Sequence, residues 1–155
     1  MRIWQYTFKA LTGEKEPGGV QDPPFAEQPF NERAVEPIPG NPRFATAPIQ
    51  GDNSLANQAL LESKNGKWTC VGHYVEDTIH LKDDQNVRGQ GLAEELLLRC
   101  VEHRSDLPLT SNFTEQGYSL VRRAHRLAIK RALEAKLPVP DFVLAEYPDL
   151  NVSDR

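Results

Sequence analysis

The sequence predicts an α+β fold in which one small, mostly antiparallel sheet is packed by two main helices. Three patterns lead to this prediction: an alternating N-terminal segment, a β-hairpin over residues 67–82, and two apolar stripes of helical period at about 91–104 and 115–136. The chain has 155 residues, which is the size of one ordinary domain. We therefore expect residues 1–155 to form a single domain with its own core.

The N-terminal segment 2–8, RIWQYTF, alternates between two faces, and Trp4, Tyr6 and Phe8 fall together on one of them. Alternation with a period of two residues, rich in aromatic side chains, is typical of a half-buried strand. We therefore predict an N-terminal strand whose aromatic face packs on the core.

Residues 13–51 differ sharply in composition from the rest of the chain. Eight of the twelve prolines lie between Pro17 and Pro48, and five glycines punctuate the same stretch. Because proline fixes φ and lacks a backbone donor, we expect neither a long helix nor a central strand here, but a long Pro/Gly-rich extended arm. Two interpretations stay open. The arm is an ordered meander on its own domain, or it reaches a second subunit and joins a homodimer.

The segment 53–62, NSLANQALLE, follows the arm. Its polar start and apolar periodicity predict a short helix capped by Asn53 or Ser54. The Asn-Gly dipeptide at 65–66 then marks a tight turn, since both residue types tolerate positive φ.

The hairpin is predicted over roughly 67–82. Alternating residues in KWTCVGHYVE suggest the first strand, IHLK suggests the second, and a turn is expected at Asp77-Thr78 between them.

Two helices follow, at about 91–104 and 115–136. For the second, Thr114 is a good N-cap, and Phe113 and Tyr118 lie at the spacing of a hydrophobic staple. The apolar stripe of the first consists of Leu92, Leu96, Leu97, Cys100 and Val101, and that of the second of Leu120, Val121, Ala124, Leu127, Ala128 and Ala132.

Composition excludes several functional classes. The net charge of −4 argues against a protein that coats nucleic acid through bulk charge. Cys70 and Cys100 lie inside periodic apolar segments, so we expect reduced core thiols and a cytoplasmic location. The first ten residues lack the apolar run of a signal peptide, and no stretch has the roughly 20 apolar residues of a membrane span.

The loop before the first long helix could bind an anion. Glycines let a backbone approach a ligand closely, and the first amides of a helix have no internal partners and favour phosphate. An arginine adds a charge-assisted contact. The loop consists of Arg88, Gly89, Gln90, Gly91, Leu92 and Ala93. The alternative interpretation is a glycine-rich turn that only starts a core helix.

This loop resembles the pyrophosphate loop of the GNAT family of acyl-CoA-dependent N-acetyltransferases, which has Gln or Arg, two residues, Gly, one residue, then Gly or Ala. Arg88, Gly91 and Ala93 match those positions, and the resemblance extends over about 68–104. It implies acetyl-CoA as cofactor, bound by the loop, and direct acetyl transfer to an amine. The family continues with a long strand after this helix, whereas here the short, proline-containing DLPLTSNF follows.

The same resemblance implies a general base for the amine and an acid for the departing thiolate. Glu76 on the hairpin is the first candidate base and His73 the second, while Tyr118 is the candidate acid.

A basic face is predicted on the second long helix. Arg122, Arg126 and Lys130 recur at every fourth position, and Arg123 flanks them. The segment 88–136 has nine basic and six acidic residues, so its net charge is +3 and the rest of the chain carries −7. This asymmetry indicates a face for nucleic acid or a phosphate ligand, or else a solvated face that meets acidic residues of the same chain or of a dimer mate.

The C-terminal stretch 124–150 resembles a short signature of accessory proteins found on phages, plasmids and integrons. It consists of a helix and then Val139, Pro140, Val143, Leu144, Glu146, Tyr147 and Pro148. We expect it to act as a helix stop followed by an apolar clip on the core.

Metal-ligand spacing is weak. His73 with Glu76, or His80 with Asp83 and Asp84, could supply ligands, but no third ligand is specified, so we predict no metal site. The favoured function is a small, non-catalytic accessory or binding protein of mobile-element, integron-cassette-like origin. The alternative is a GNAT-like N-acetyltransferase.

Overall fold

The computed structural model describes residues 2–18, 25–52, 54–110 and 113–150. The chain divides into two compact units, each described here by itself. The sheet unit is Gln21–His103, and the helical unit consists of Met1–Val20 together with Arg104–Arg155.

The sheet unit is built on an antiparallel meander of five strands, in the order β1-β2-β3-β4-β5. With four α-helices in the described residues, the predicted α+β class with a mostly antiparallel sheet is confirmed. The strands are β1 (Glu36–Ile38), β2 (Asn41–Pro48), β3 (Gln58–Lys64), β4 (Lys67–Val75) and β5 (Thr78–Leu81).

Two tight turns set the register of the last three strands. Asn65 and Gly66 have φ of 52° and 75°, so the predicted Asn-Gly turn is confirmed, as is the hairpin over 67–82. The next turn lies at Glu76 and Asp77, with φ of 51° and 62°, one residue earlier than predicted. The reason is steric: a β-branched residue such as Thr78 is strained at positive φ, so it begins the strand.

Both faces of this sheet are covered. The helix α2 (Leu92–Val101) packs on β3, β4 and β5, and Nη1 of Arg99 donates to the hydroxyl of Thr46 over 2.7 Å. The predicted apolar stripe of α2 is confirmed, because all five of its residues are buried. Residues of opposite parity form a second core around Ala47 and Leu61, and Phe25 and Phe30 pack against it.

Two predictions for this unit are wrong. Residues 58–62 of the segment 53–62 belong to strand β3 rather than to a helix. The first five residues of β3 are all buried, so the strand lacks the alternation by which a half-buried strand is predicted. Of the predicted helix caps, Asn53 lies outside the described residues. A central strand does run within 13–51, since β2 pairs with both β1 and β3; its prolines, Pro42 and Pro48, lie near its two ends.

The helical unit begins differently from the predicted strand at 2–8, which is wrong. A 3-10 helix spans Ile3–Gln5, and α1 (Phe8–Thr12) follows. Thr7 caps α1 by accepting a hydrogen bond from the Ala10 amide over 3.1 Å, and Gly13 ends it in the left-handed conformation.

The long helix of this unit is α3 (Glu115–Glu134), close to the predicted 115–136. Thr114 caps it as expected, accepting from the Gly117 amide over 3.0 Å, and Phe113 meets Tyr118 edge-on with ring centroids 6.1 Å apart. A one-turn helix, α4 (Asp141–Leu144), and a 3-10 turn at Pro148–Leu150 complete the unit. No helix in the described part of the chain has the length and apolarity needed to cross a membrane.

Candidate functional site

The sheet unit has an open groove of about 460 Å³ on the face opposite α2. Residues 27–30 form one side of it, and Trp68, Thr69 and Cys70 of β4 form the other. The first side is fixed to the end of β2, because Phe30 and Ile49 form an antiparallel bridge. Within the predicted arm, Phe25 and Phe30 therefore pack on the sheet of their own chain, while β1 and β2 are strands of that sheet.

The groove contains aromatic and polar groups together. Phe30 and Trp68 are half-buried and offer ring surface, while the Glu27 side chain is exposed at the rim. Cys70 is only 4% exposed, and its thiol donates to the Gly72 carbonyl over 3.3 Å. Burial raises the pKa of the Cys70 thiol, so this cysteine stays protonated and is a poor nucleophile.

His73 lies farther along β4 on the same face. The sheet register places it between Ala59 of β3 and His80 of β5. Its ring centroid is 4.8 Å from that of His80 and 5.7 Å from that of Phe25. His73 is 7% exposed, and burial, followed by the nearby His80, lowers its pKa from 6.5 to about 4. It is therefore neutral at physiological pH.

The Nδ1 atom of His73 is buried and has no hydrogen-bond partner among the described residues. Buried polar atoms in folded proteins are almost always hydrogen-bonded, because burying one without a partner costs free energy. The packing of the described residues therefore does not explain why Nδ1 of His73 is buried without a partner.

The other two candidate catalytic residues lie elsewhere. Glu76 occupies the turn after β4, where it is exposed, and its amide donates to the side chain of Asn57 over 3.0 Å. Tyr118 belongs to the helical unit, where its ring packs edge-on against Phe8 with centroids 5.1 Å apart. The contacts of Tyr118 are those of a core aromatic residue.

The glycine-rich loop before α2 is open to solvent. Gly89 and Gly91 have φ of +77° and +74°, and no atom lies within 4 Å of where a Cβ would stand on either. Gly91 is the N-cap and provides no side-chain acceptor for the first amides of α2. The last two loop residues start the helix; Leu92 is buried and Ala93 is half-buried.

The polar side chains of this loop contact their own unit. Arg88 lies 3.4 Å from Asp83 in an exposed ion pair. Gln90 accepts from the Asn41 side chain over 3.3 Å and donates to the Asn86 carbonyl. The geometry thus offers backbone amides to an anion, while the arginine already has an acidic neighbour.

The predicted basic face of α3 is partly occupied by the C-terminal segment. Arg122 lies 3.7 Å from Glu146, and Arg126 pairs with Asp149. Arg123 and Lys130 are exposed. Half of this face therefore serves ion pairs inside the helical unit.

The C-terminal signature contacts the start of the chain. Val143 and Leu144 are buried, and the Glu146 carboxylate accepts from the Phe8 amide over 3.0 Å. The guanidinium of Arg122 stacks 3.6 Å from the centroid of the Phe8 ring. As expected for an apolar clip, this segment packs into the core of the helical unit.

His125, for which the sequence pattern predicts no role, lies at the centre of that contact. It is fully buried on α3, with ring nitrogens 2.8 Å from the Tyr147 hydroxyl and 2.7 Å from the Tyr6 carbonyl. One signal could have revealed it: His125 follows Val121 by four residues and is a polar residue within the apolar stripe.

No protein-family model, curated protein or solved structure matches the chain. Within the ranges that the structure describes, no group of three or more histidine, cysteine, aspartate or glutamate side chains is arranged to hold a metal ion. Functional proposals for this protein therefore rest on the geometry of its groove, its loop and its histidines.

Proposed function

We propose that this chain is a small, non-catalytic binding protein whose ligand occupies the groove between residues 27–30 and β4. The observation that carries the proposal is the groove itself. Its volume of about 460 Å³ lies within the range typical of small-molecule sites, and ring surface from Phe30 and Trp68 meets polar groups there. An amino acid, a nucleoside or a sugar has the matching size and mixed polarity.

The chemistry of the groove favours binding over catalysis. Its thiol, Cys70, is buried and protonated, so it offers no activated nucleophile. The remaining side chains of the groove include one carboxylate, that of Glu27, which is exposed at the rim where it can orient a cationic or hydroxyl group.

The C-terminal signature supports an accessory role of mobile-element origin. Within residues 139–148, which resemble the signature of phage, plasmid and integron accessory proteins, Val143, Leu144 and Tyr147 are buried in the helical unit. In such a protein this segment stabilises the scaffold and leaves recognition to other surfaces.

A binding screen by NMR tests the groove. Amino acids, nucleosides and monosaccharides at millimolar concentration are added to ¹⁵N-labelled full-length protein. We expect amide shifts confined to residues 27–30 and 68–70 for at least one compound class. Glu27→Trp should fill the groove and abolish the shifts, whereas Glu32→Trp, at an exposed glutamate of the same segment outside the groove, should keep them. Shifts clustered elsewhere, or none with any class, contradict the proposal.

The open loop before α2 favours a second candidate, a GNAT-like N-acetyltransferase. Gly89 and Gly91 leave room for a pyrophosphate beside the first amides of α2. Acetyl-CoA bound at Arg88–Ala93 would present its acetyl group for transfer to an amine, with Glu76 or His73 as base. Among the described residues no strand follows α2.

A thermal-shift titration with acetyl-CoA separates the two functions. A ligand at 100 times its Kd stabilises the folded state by roughly 2.7 kcal/mol, which is a measurable rise in Tm. Under the acetyltransferase proposal the rise should shrink in Arg88→Gln and persist in Lys82→Gln, a matched exposed cation outside the loop. No rise at millimolar acetyl-CoA rejects this candidate and leaves the groove proposal standing.

The homodimer predicted through residues 13–51 stays a prediction. Size-exclusion chromatography with light scattering reads the mass directly: 17.5 kDa for one chain, or twice that for a dimer.

A further inference from the structure

The β4–β5 hairpin brings two histidines together on one face of the sheet. His73 and His80 are direct cross-strand partners, and their ring centroids are 4.8 Å apart with the planes inclined at 55°. Side chains of directly opposed residues project to the same side and are neighbours. The two imidazoles therefore share one small volume.

This separation fits chelation of one metal ion. Zinc(II) lies about 2.0 Å from an imidazole nitrogen, so two imidazoles bound to one tetrahedral zinc have ring centroids roughly 5 Å apart. The observed centroid distance between His73 and His80, 4.8 Å, is close to that value. Imidazole is a ligand that zinc, copper and nickel ions accept readily.

One ring nitrogen of His73 is placed to act as a metal ligand. This atom, Nδ1, is buried and lacks a hydrogen-bond partner among the described residues. Coordination would supply the partner that this nitrogen lacks.

We propose that His73, through Nδ1, and His80 bind one borderline divalent metal ion, with zinc(II) as the representative. Because zinc is usually four-coordinate, two protein ligands leave the remaining coordination positions to water or to a small exogenous ligand. The Phe25 ring beside His73 limits the approach of solvent from its side. This proposal does not depend on the groove or on the loop before α2.

Calorimetry tests the site on the full-length protein. Zinc chloride is titrated into protein freed of metal with a chelator and then dialysed. We expect one equivalent of zinc to bind wild-type protein, with at least tenfold weaker binding to His80→Gln and to His73→Gln. His103→Gln, which removes an exposed histidine beyond the end of α2, is the matched control and should bind zinc as the wild type does.

A second readout keeps the result clear if His73→Gln fails to fold, since that residue is buried. Long-range ¹H–¹⁵N spectra of the wild-type imidazoles report each ring separately, and zinc should shift the nitrogens of His73 and His80 alone. Undiminished zinc binding by a folded His80→Gln overturns the proposal. So does a wild-type spectrum in which zinc moves the His103 ring and leaves the pair unchanged.

Discussion

Each of the two units buries one histidine, and the two histidines differ in the hydrogen bonding of their ring nitrogens. In the helical unit, His125 is completely buried and both of its ring nitrogens are hydrogen-bonded. Since the Tyr6 carbonyl can only accept, Nε2 carries the proton, and Nδ1 accepts from the Tyr147 hydroxyl. In the sheet unit, His73 is 7% exposed and its Nδ1 has no hydrogen-bond partner among the described residues.

The same cause acts on both rings, but only one is compensated. Burial lowers the pKa of His125, and the hydrogen bond to Tyr6 and the charge of Glu146 act in the opposite direction. Burial also lowers the pKa of His73, and there the neighbouring His80 adds to the effect. The fold therefore accounts for both nitrogens of His125, whereas the described residues supply no partner for Nδ1 of His73.

The largest expected effect comes from replacing His125, the histidine whose ring nitrogens are both hydrogen-bonded. His125→Phe leaves the Tyr147 hydroxyl and the Tyr6 carbonyl buried without this partner, which should lower the free energy of unfolding by about 3 kcal/mol. Urea unfolding in a Trp68→Phe background measures this, because Trp4 then reports on the helical unit alone. His103→Phe, at an exposed site, should change stability by less than about 0.5 kcal/mol. Equal effects from the two variants contradict a structural role for His125.

The pH dependence of stability should follow from the same ring. Because the folded-state pKa of His125 is below its usual 6.5, the unfolded chain binds more protons as the pH falls below that value. Stability that is present above pH 6.5 is therefore lost on acidification, by at most about 2 kcal/mol between pH 7 and pH 5 from this group.

Comparison with His125→Phe isolates that contribution. His73 acts with the same sign in both proteins, so it cancels, and the variant should lose less stability than the wild type over this range. Unfolding curves at pH 7 and pH 5 give the difference directly. If the wild type and the variant lose the same amount of stability between pH 7 and pH 5, His125 is not the source of the pH dependence.

A smaller effect is expected from the arginine that covers this contact. Arg122 stacks on Phe8, donates to the Tyr147 hydroxyl over 3.3 Å and lies near Glu146. Because its side chain is partly exposed, solvent weakens these contacts, and Arg122→Gln should cost about 1 kcal/mol. Lys130→Gln, an exposed cation on the same helix, should be nearly neutral. If high salt removes the whole difference between the variants, stacking on Phe8 contributes nothing.

Local signals made part of the fold predictable. Short stretches of sequence predict the long helices and the two tight turns. Thr114 marks the start of α3, and the Asn-Gly dipeptide at 65–66 marks the first turn. Tertiary burial overrode local pattern elsewhere. Strand β3 is covered on both faces and so loses alternation, while alternating residues 2–8 form a 3-10 turn and the start of α1.

An error of one residue in the predicted turn was enough to miss the contact between His73 and His80. A turn at Asp77-Thr78 would set His73 opposite Lys82 and His80 opposite Val75. The observed turn lies one residue earlier and makes the two histidines direct partners. In an antiparallel hairpin, a shift of one residue in the turn changes every cross-strand pair, so residue spacing alone did not identify this contact.

The smallest expected effect comes from replacing His73, whose Nδ1 has no hydrogen-bond partner among the described residues. In metal-free protein, His73→Phe replaces a buried polar ring by an apolar ring of similar shape and removes a nitrogen that had no partner. Stability should therefore change by less than about 1 kcal/mol, despite burial close to that of His125. Chelator-treated protein in a Trp4→Phe background, where Trp68 reports on the sheet unit, gives the measurement.

The contrast with His125→Phe depends on this result. A loss near 3 kcal/mol would mean that the His73 ring is satisfied in solution, for example by a bound water, and the distinction between the two histidines would disappear. A near-neutral variant that also fails to gain stability from zinc, while the wild type does gain it, ties the unpartnered nitrogen to metal rather than to folding. The same ring would then be dispensable for stability and required for binding, which is the opposite of His125.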